Sequence, residues 1–166
     1  AEYYSYPLDK EQLRQRLSHL ETGFECLPQR VRLTLSADGR ISLEHRLLSE
    51  EGHPLRVGLA RTPVSAAERF LYHKTTRREV YQRALSECPG CDEALLWNEL
   101  GEVTEATIAN LVVELDGELV TPPVKGGLLP GTYRAWLLES GRVKERTVRV
   151  EDLQRCSRIY LVNSVR

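Results

Sequence analysis

Asn98-Glu99-Leu100-Gly101-Glu102-Val103-Thr104-Glu105-Ala106-Thr107-Ile108-Ala109-Asn110-Leu111 is the stretch around which the whole chain reads. It sets acids, threonine and asparagine between apolar residues, directly before a β-rich run that continues through Leu115. Polar groups in an apolar setting must find partners or take part in chemistry. Further along comes Gly126-Gly127-Leu128-Leu129-Pro130-Gly131-Thr132-Tyr133-Arg134, a Gly-rich turn that opens a predicted helix. A helix entered this way exposes backbone amides and a positive dipole end. The acid-bearing loop and the anion-ready turn together point to a charged, phosphorylated cofactor.

Outward from that stretch the chain mixes helices with antiparallel strands. Asp9 followed by Gln12 resembles a capping box, and Leu13, Leu17 and Leu20 recur at helical spacing, which predicts a helix from Asp9 to Glu21. Arg30 to Ser36 alternates as a half-buried strand, Asp38-Gly39 marks a hairpin, and Ile41 to His45 pairs back. Leu55, Val57 and Leu59 alternate again. A helix is expected over Arg77 to Glu87, with Val80, Tyr81, Ala84 and Leu85 as its buried stripe, stopped by Cys88-Pro89-Gly90-Cys91. Ala94 to Trp97 reads as a strand, and Asp116-Gly117 as a hairpin joining Ile108–Leu115 to Glu118–Thr121. A helix over Thr132 to Glu139, a strand over Arg142 to Val150, a helical turn over Glu151 to Arg155 and a strand over Ile159 to Asn163 complete an α+β pattern. Pro63 and small residues between Arg61 and Ala67 suggest a linker. Residues 1–61 are thus expected to form a small N-terminal lobe, 62–69 the linker, and 70–166 a large lobe carrying the candidate site.

The 166 residues suffice for one sizeable domain or two small lobes sharing a core. A net charge of −1 gives no global reason to expect nucleic acid or an anionic membrane as partner. No apolar run has the length of a membrane span, and no signal-like segment opens the chain. Cys26, Cys88, Cys91 and Cys156 do not form a disulfide framework, so the expectation is a cytoplasmic protein with reduced thiols. The chain holds no methionine and starts at Ala1, which suggests a piece of a longer protein.

Each candidate residue admits two readings. Lys74 is either a surface lysine at a helix start or, desolvated near another cation, a Schiff-base nucleophile. Glu105 is either a capping or surface acid or a carboxylate set against a protonated pyridine nitrogen. Asn110 either orients a cofactor hydroxyl or caps a strand end. Gly131-Thr132-Tyr133 is either a plain turn or a phosphate cradle. Cys88 and Cys91 have the spacing of a redox dithiol or half a zinc site, but no second pair supplies the remaining ligands, so no metal is expected.

Four motifs taken in order bear on these choices: His73-Lys74-Thr75-Thr76 followed by Arg78; Asn98-Glu99 running to Glu105; Asn110-Leu111; and Gly127-Leu128-Leu129-Pro130-Gly131-Thr132 running to Arg134. Their order and spacing resemble the fold-type IV pyridoxal-phosphate enzymes, which comprise branched-chain aminotransferases, D-amino-acid aminotransferases and 4-amino-4-deoxychorismate lyases. With Arg78 and the closing Asn163-Ser164-Val165-Arg166, the chain is most similar to the lyases, especially the lyase domain that follows a para-aminobenzoate synthase component I domain. The resemblance implies a D-amino-acid aminotransferase-like α+β fold whose N-terminal lobe is truncated here, and pyridoxal 5'-phosphate as cofactor. It further implies Lys74 as covalent tether and proton shuttle and Glu105 at the pyridine nitrogen. The amides of Thr132 and Tyr133 would hold the phosphate, with Ser164 on a second loop, and Asn110 and Arg78 would lie near the cofactor. The implied reaction converts 4-amino-4-deoxychorismate to para-aminobenzoate and pyruvate in folate biosynthesis, within a homodimer and beside a fused or partner synthase domain. A class IV transaminase and a non-catalytic fragment are the alternatives.

Overall fold

A computed structural model describes residues 2–24, 27–48 and 54–165, so Cys26 and Arg166 lie outside the described residues. The chain forms two compact units, residues 1–53 and 54–166. Strand Val57–Leu59 and the segment 62–69, read from sequence as N-terminal lobe and linker, therefore belong to the second unit.

In the first unit, α1 (Lys10–Thr22) begins where Asp9 accepts a hydrogen bond from the Gln12 amide at 2.9 Å. That satisfies one of the donors every helix start leaves open. Strands β1 (Gln29–Leu35) and β2 (Ile41–Leu47) pair antiparallel from Gln29 opposite Leu47 to Leu35 opposite Ile41. Gly39 turns the corner at φ +85°, a left-handed backbone that glycine adopts without penalty. Ile41 is the buried hydrophobic residue of this unit among those described, and Leu17, one of the leucines at helical spacing on α1, is exposed.

The second unit carries the rest. β3 (Val57–Leu59) runs parallel to β4 (Glu93–Trp97), with α2 (Glu79–Ser86) between them in the chain. From β4 the sheet continues through β5 (Glu102–Ala106), β6 (Asn110–Leu115) and β7 (Glu118–Thr121), each antiparallel to the one before. After α3 (Thr132–Glu139), β8 (Lys144–Glu145) lies parallel to β7 and β9 (Val148–Arg149) antiparallel to β5. Strand β10 (Arg158–Val162) closes against β6. The β6–β7 corner uses Asp116 at φ +55° and Gly117 at φ +80°, the positive pair a two-residue hairpin needs.

Two apolar clusters hold this unit. Leu95, Val103, Leu111, Val113, Leu115, Val120 and Val148 interdigitate between the strands, while Val64, Leu71, Ala84, Cys88 and Leu96 pack beneath α2. Each large side chain so buried contributes about 1.5–3 kcal/mol.

Several sequence expectations need correction. The acid-bearing part of the 98–111 stretch is no loop: Glu102–Ala106 is strand β5, joined to β6 by a tight turn in which the Ala106 amide donates to the Ala109 carbonyl at 2.9 Å. The strand expected over Arg142 to Val150 breaks into β8 and β9, because the two pieces pair with different neighbours. Helix α2 starts at Glu79, not Arg77, and Leu85 on its expected inner stripe is exposed. The segment 62–69 is anchored: the Val64 amide donates to the Trp97 carbonyl at 2.8 Å, and the Arg61 and Thr62 amides to Glu87 at 2.7 and 2.9 Å. Among the described residues no helix is long and apolar enough to cross a membrane.

Candidate active site

The second unit brings its polar residues to one buried carboxylate. Strand alternation places Glu105 and Val103 on the same face of β5. Glu105 is 3% exposed. Its Oε1 accepts from the Tyr81 hydroxyl at 2.8 Å. Its Oε2 accepts from Asn110 Nδ2 and from the Leu129 amide, both at 3.3 Å. Burial disfavours the charged form and pushes the carboxyl up to about 8, opposed by the Tyr81 and Leu129 hydrogen bonds and the positive charges of Arg78 and Lys74. The same burial, with Glu105 beside it, raises the Tyr81 phenol, which therefore remains a donor.

Asn110 faces Glu105 directly across the β5–β6 pair. Its Nδ2 also donates to the Leu129 carbonyl at 2.8 Å, so it links the carboxylate to the turn preceding α3. That turn approaches closely: a Cβ on Gly131 would lie 2.1 Å from Asn110 Oδ1, a space only glycine leaves free. Gly131 caps α3 without a side-chain bond, so the amides of Thr132 and Tyr133 have no acceptor within the helix. Thr132 Oγ1 and Ser164 Oγ lie 2.7 Å apart. The Ser164 loop is set by Asn163, whose Oδ1 accepts from the Val165 amide at 2.8 Å and whose Nδ2 donates to the Ile108 carbonyl at 3.3 Å. The Tyr133 ring stacks on Trp136. Arg134, in contrast, is a buried anchor, donating to the Pro122 carbonyl at 2.7 Å and to Glu145 at 2.6 Å.

Lys74 is exposed, in non-helical backbone between the turn at Leu71 and α2, and its charge acts on Glu105. Arg78 donates to the Thr107 carbonyl and lays its guanidinium 4.3 Å from the centre of the Tyr81 ring. The structure thus gathers Lys74, Arg78 and Asn110 about the Glu105 carboxylate, and Thr132 with Ser164 at the start of α3. Asn110 and Gly131 join the two groups. Tyr81 was read from sequence as packing alone; its hydroxyl is a member of the site. A clue lay in the Arg78–Tyr81 spacing, which sets two side chains as neighbours on a helix.

Asn98 is fully buried and uses every bond it can make at this point: Nδ2 donates to Glu102 and the Gly126 carbonyl, each at 3.0 Å, and Oδ1 accepts from the Leu100 and Glu102 amides at 3.0 and 3.1 Å. It ties the start of β5 to the glycine turn. The sulfurs of Cys88 and Cys91 both crowd Gly58, where a Cβ would lie 2.8 and 3.0 Å from them. Among the described residues no three His, Cys, Asp or Glu side chains converge as a metal set.

A buried carboxylate with an acceptor position to spare, a lysine whose charge reaches it and an uncapped helix start are what a cationic ring bearing an anionic tail would require. The whole chain, residues 1–166, matches Amino-transferase class IV, and the protein belongs to that family. Enzymes of this family depend on pyridoxal 5'-phosphate, and the fold is the class IV aminotransferase-like fold. The chain is 32% identical over 146 residues to a Schizosaccharomyces pombe protein named "Putative aminodeoxychorismate lyase", covering 82% of this chain and 63% of that one. It is also similar to a solved structure named "Putative amino-acid aminotransferase" from Mesorhizobium loti, at 34% identity and TM-score 0.87, over 97% of this chain and 80% of that one. A third likeness is to a "Putative 4-amino-4-deoxychorismate lyase" of Legionella pneumophila, at 26% identity and TM-score 0.69, over 77% of this chain and 50% of that one. The chain spans less than two thirds of the length of its curated relatives.

The residues present fit the family's cofactor. Three of the four acceptor positions on the Glu105 carboxylate are taken, leaving one on Oε1 for a ring N–H. The Thr132 and Tyr133 amides, left without an acceptor within α3, are donors an anion could meet.

Proposed function

We propose that the chain supplies the cofactor-binding part of a pyridoxal-phosphate-dependent 4-amino-4-deoxychorismate lyase, which forms para-aminobenzoate and pyruvate. The buried Glu105, with one acceptor position open and a lysine charge nearby, is the observation that carries the cofactor assignment. The lyase names borne by the S. pombe and L. pneumophila relatives support the choice of substrate. The aminotransferase name of the M. loti structure favours a second reading, a class IV aminotransferase on the same site.

When bound, the cofactor supplies an electron-withdrawing ring. Glu105 Oε1 would hold the ring nitrogen in its protonated, cationic form. The Thr132 and Tyr133 amides, the α3 dipole and the hydroxyls of Thr132 and Ser164 would hold the phosphate. Asn110 fixes the carboxylate relative to that phosphate turn. Lys74 Nζ would tether the cofactor and, once released, take the proton from the amine-bearing carbon of the substrate. Loss of that proton with the enolpyruvyl group aromatises the substrate ring. A cytoplasmic homodimer working beside a synthase that makes the aminated chorismate completes the reading.

The test uses the natural polypeptide containing this chain, loaded with pyridoxal 5'-phosphate and given 4-amino-4-deoxychorismate. Para-aminobenzoate should form, borohydride should fix the cofactor's mass to Lys74, and Lys74→Ala should lose both. Amino-group exchange with a 2-oxo acid and no para-aminobenzoate would replace the lyase by the aminotransferase.

A further inference from the structure

We infer that Tyr81 is a positioning residue: its hydroxyl orients Glu105 toward the ring-nitrogen position and favours its ionised form. The inference rests on reading Glu105 as the ring-nitrogen partner, and it concerns a residue outside the family motifs quoted above. Of the three donors on Glu105, Tyr81 makes the shortest bond, 2.8 Å against 3.3 Å for both Asn110 Nδ2 and the Leu129 amide. Well-formed O–H···O bonds fall near 2.7–2.8 Å, whereas 3.3 Å is beyond the usual range for N–H···O. Tyr81 is therefore the main donor stabilising the ionised form from inside the protein.

Its position is itself fixed. Tyr81 lies on α2 three residues after Arg78, the residue that precedes the helix, and the Arg78 guanidinium covers the ring face while donating to the Thr107 carbonyl. Thr107 sits in the turn immediately after β5, two residues from Glu105. Its hydroxyl donates to the buried Glu93 on β4. The ring is thus clamped between α2 and the β5–β6 turn, and the hydroxyl is aimed at Oε1. The other groups acting on Glu105 are the charges of Arg78 and Lys74, the Asn110 amide from β6 and the Leu129 amide from the α3 turn. Tyr81 bonds the oxygen that keeps the free acceptor position, so it also decides in which direction that position opens.

Cofactor-free protein carrying 13C-carboxyl glutamate tests the inference alone, with the Glu105 signal assigned by its loss in Glu105→Gln. The wild-type carboxyl should titrate at about 8. Tyr81→Phe should move the midpoint up by about one to two pH units, the worth of a hydrogen bond to a charged group. Incorporating 3-fluorotyrosine at position 81, a more acidic phenol on the same ring, should move it down. An unchanged midpoint in both variants, or shifts of equal sign, overturns the inference. In the loaded protein Tyr81→Phe should weaken pyridoxal-phosphate binding about tenfold or more, and by less than about twofold in a Glu105→Gln background. Equal losses in both backgrounds would mean that Tyr81 acts elsewhere. Failure of the wild type to bind pyridoxal phosphate would sink the cofactor reading, while the carboxyl titration would still decide the role of Tyr81.

Discussion

Burying Glu105 makes its charge expensive, and the structure partly offsets the penalty with one phenol, two amides and the charges of Arg78 and Lys74. The balance still leaves the carboxyl at about 8 against an ordinary 4.5. Because the folded value lies above the unfolded one, the folded state binds the extra proton through that window, and stability falls as pH rises through it. The contribution is complete below about 4.5 and lost by about 8. Cofactor-free wild type should therefore lose stability relative to Glu105→Gln between pH 5 and pH 8, followed by urea unfolding. Saturating pyridoxal phosphate, which brings a positive partner for the carboxylate, should flatten that slope. An identical pH profile for the two proteins would show that the carboxyl does not titrate in this range.

At the scale of elements, the phosphate side depends on how closely the α3 turn rides on β6. Gly131→Ala places a methyl on Asn110 Oδ1, and an insertion of that size into a packed site costs about 1–3 kcal/mol. Asn110 also holds the Leu129 carbonyl and Glu105, so the displacement should weaken cofactor binding beyond the loss of stability. Equilibrium binding and thermal melts on the same variant separate the two effects. Local signals foresaw this region unevenly. Pro130-Gly131 marked the turn and Thr132–Glu139 the helix, as observed. The alternation over Arg142 to Val150 marked extended backbone correctly, yet it could not show the partner change from β7 to β5 that splits it. Strand pairing is long-range, and alternation reports only that a face is buried, not by what.

Across the molecule, burial is concentrated in the second unit. Leu111, Val113, Leu115 and Val120 are fully covered between strands, whereas the described part of the first unit buries Ile41. Leu115→Ala should cost about 2–5 kcal/mol, and Leu100→Ala, at the exposed tip before β5, should fall within about 0.5 kcal/mol, both read from urea midpoints. Hydrogen exchange should show the same contrast, with β6 amides opening only on global unfolding and those of β1 and β2 exchanging through smaller fluctuations. Equal protection of the two hairpins would contradict it.

The sequence by itself determined the α+β class, the helix starts at Asp9 and Thr132 and both Asp-Gly hairpins, and it singled out the acid, lysine and glycine turn of the candidate site. These are set by capping, by left-handed backbone and by motif spacing, all legible within a few residues. Only the tertiary structure decided that Glu102–Ala106 is a strand pairing with β6, that the segment 62–69 packs into the second unit, and that Tyr81 reaches Glu105. Those outcomes depend on which faces meet across the sheet. Whether Glu105 is a surface acid or a buried carboxylate is fixed by neighbours as distant in sequence as Tyr81 and Leu129, and no local pattern encodes them.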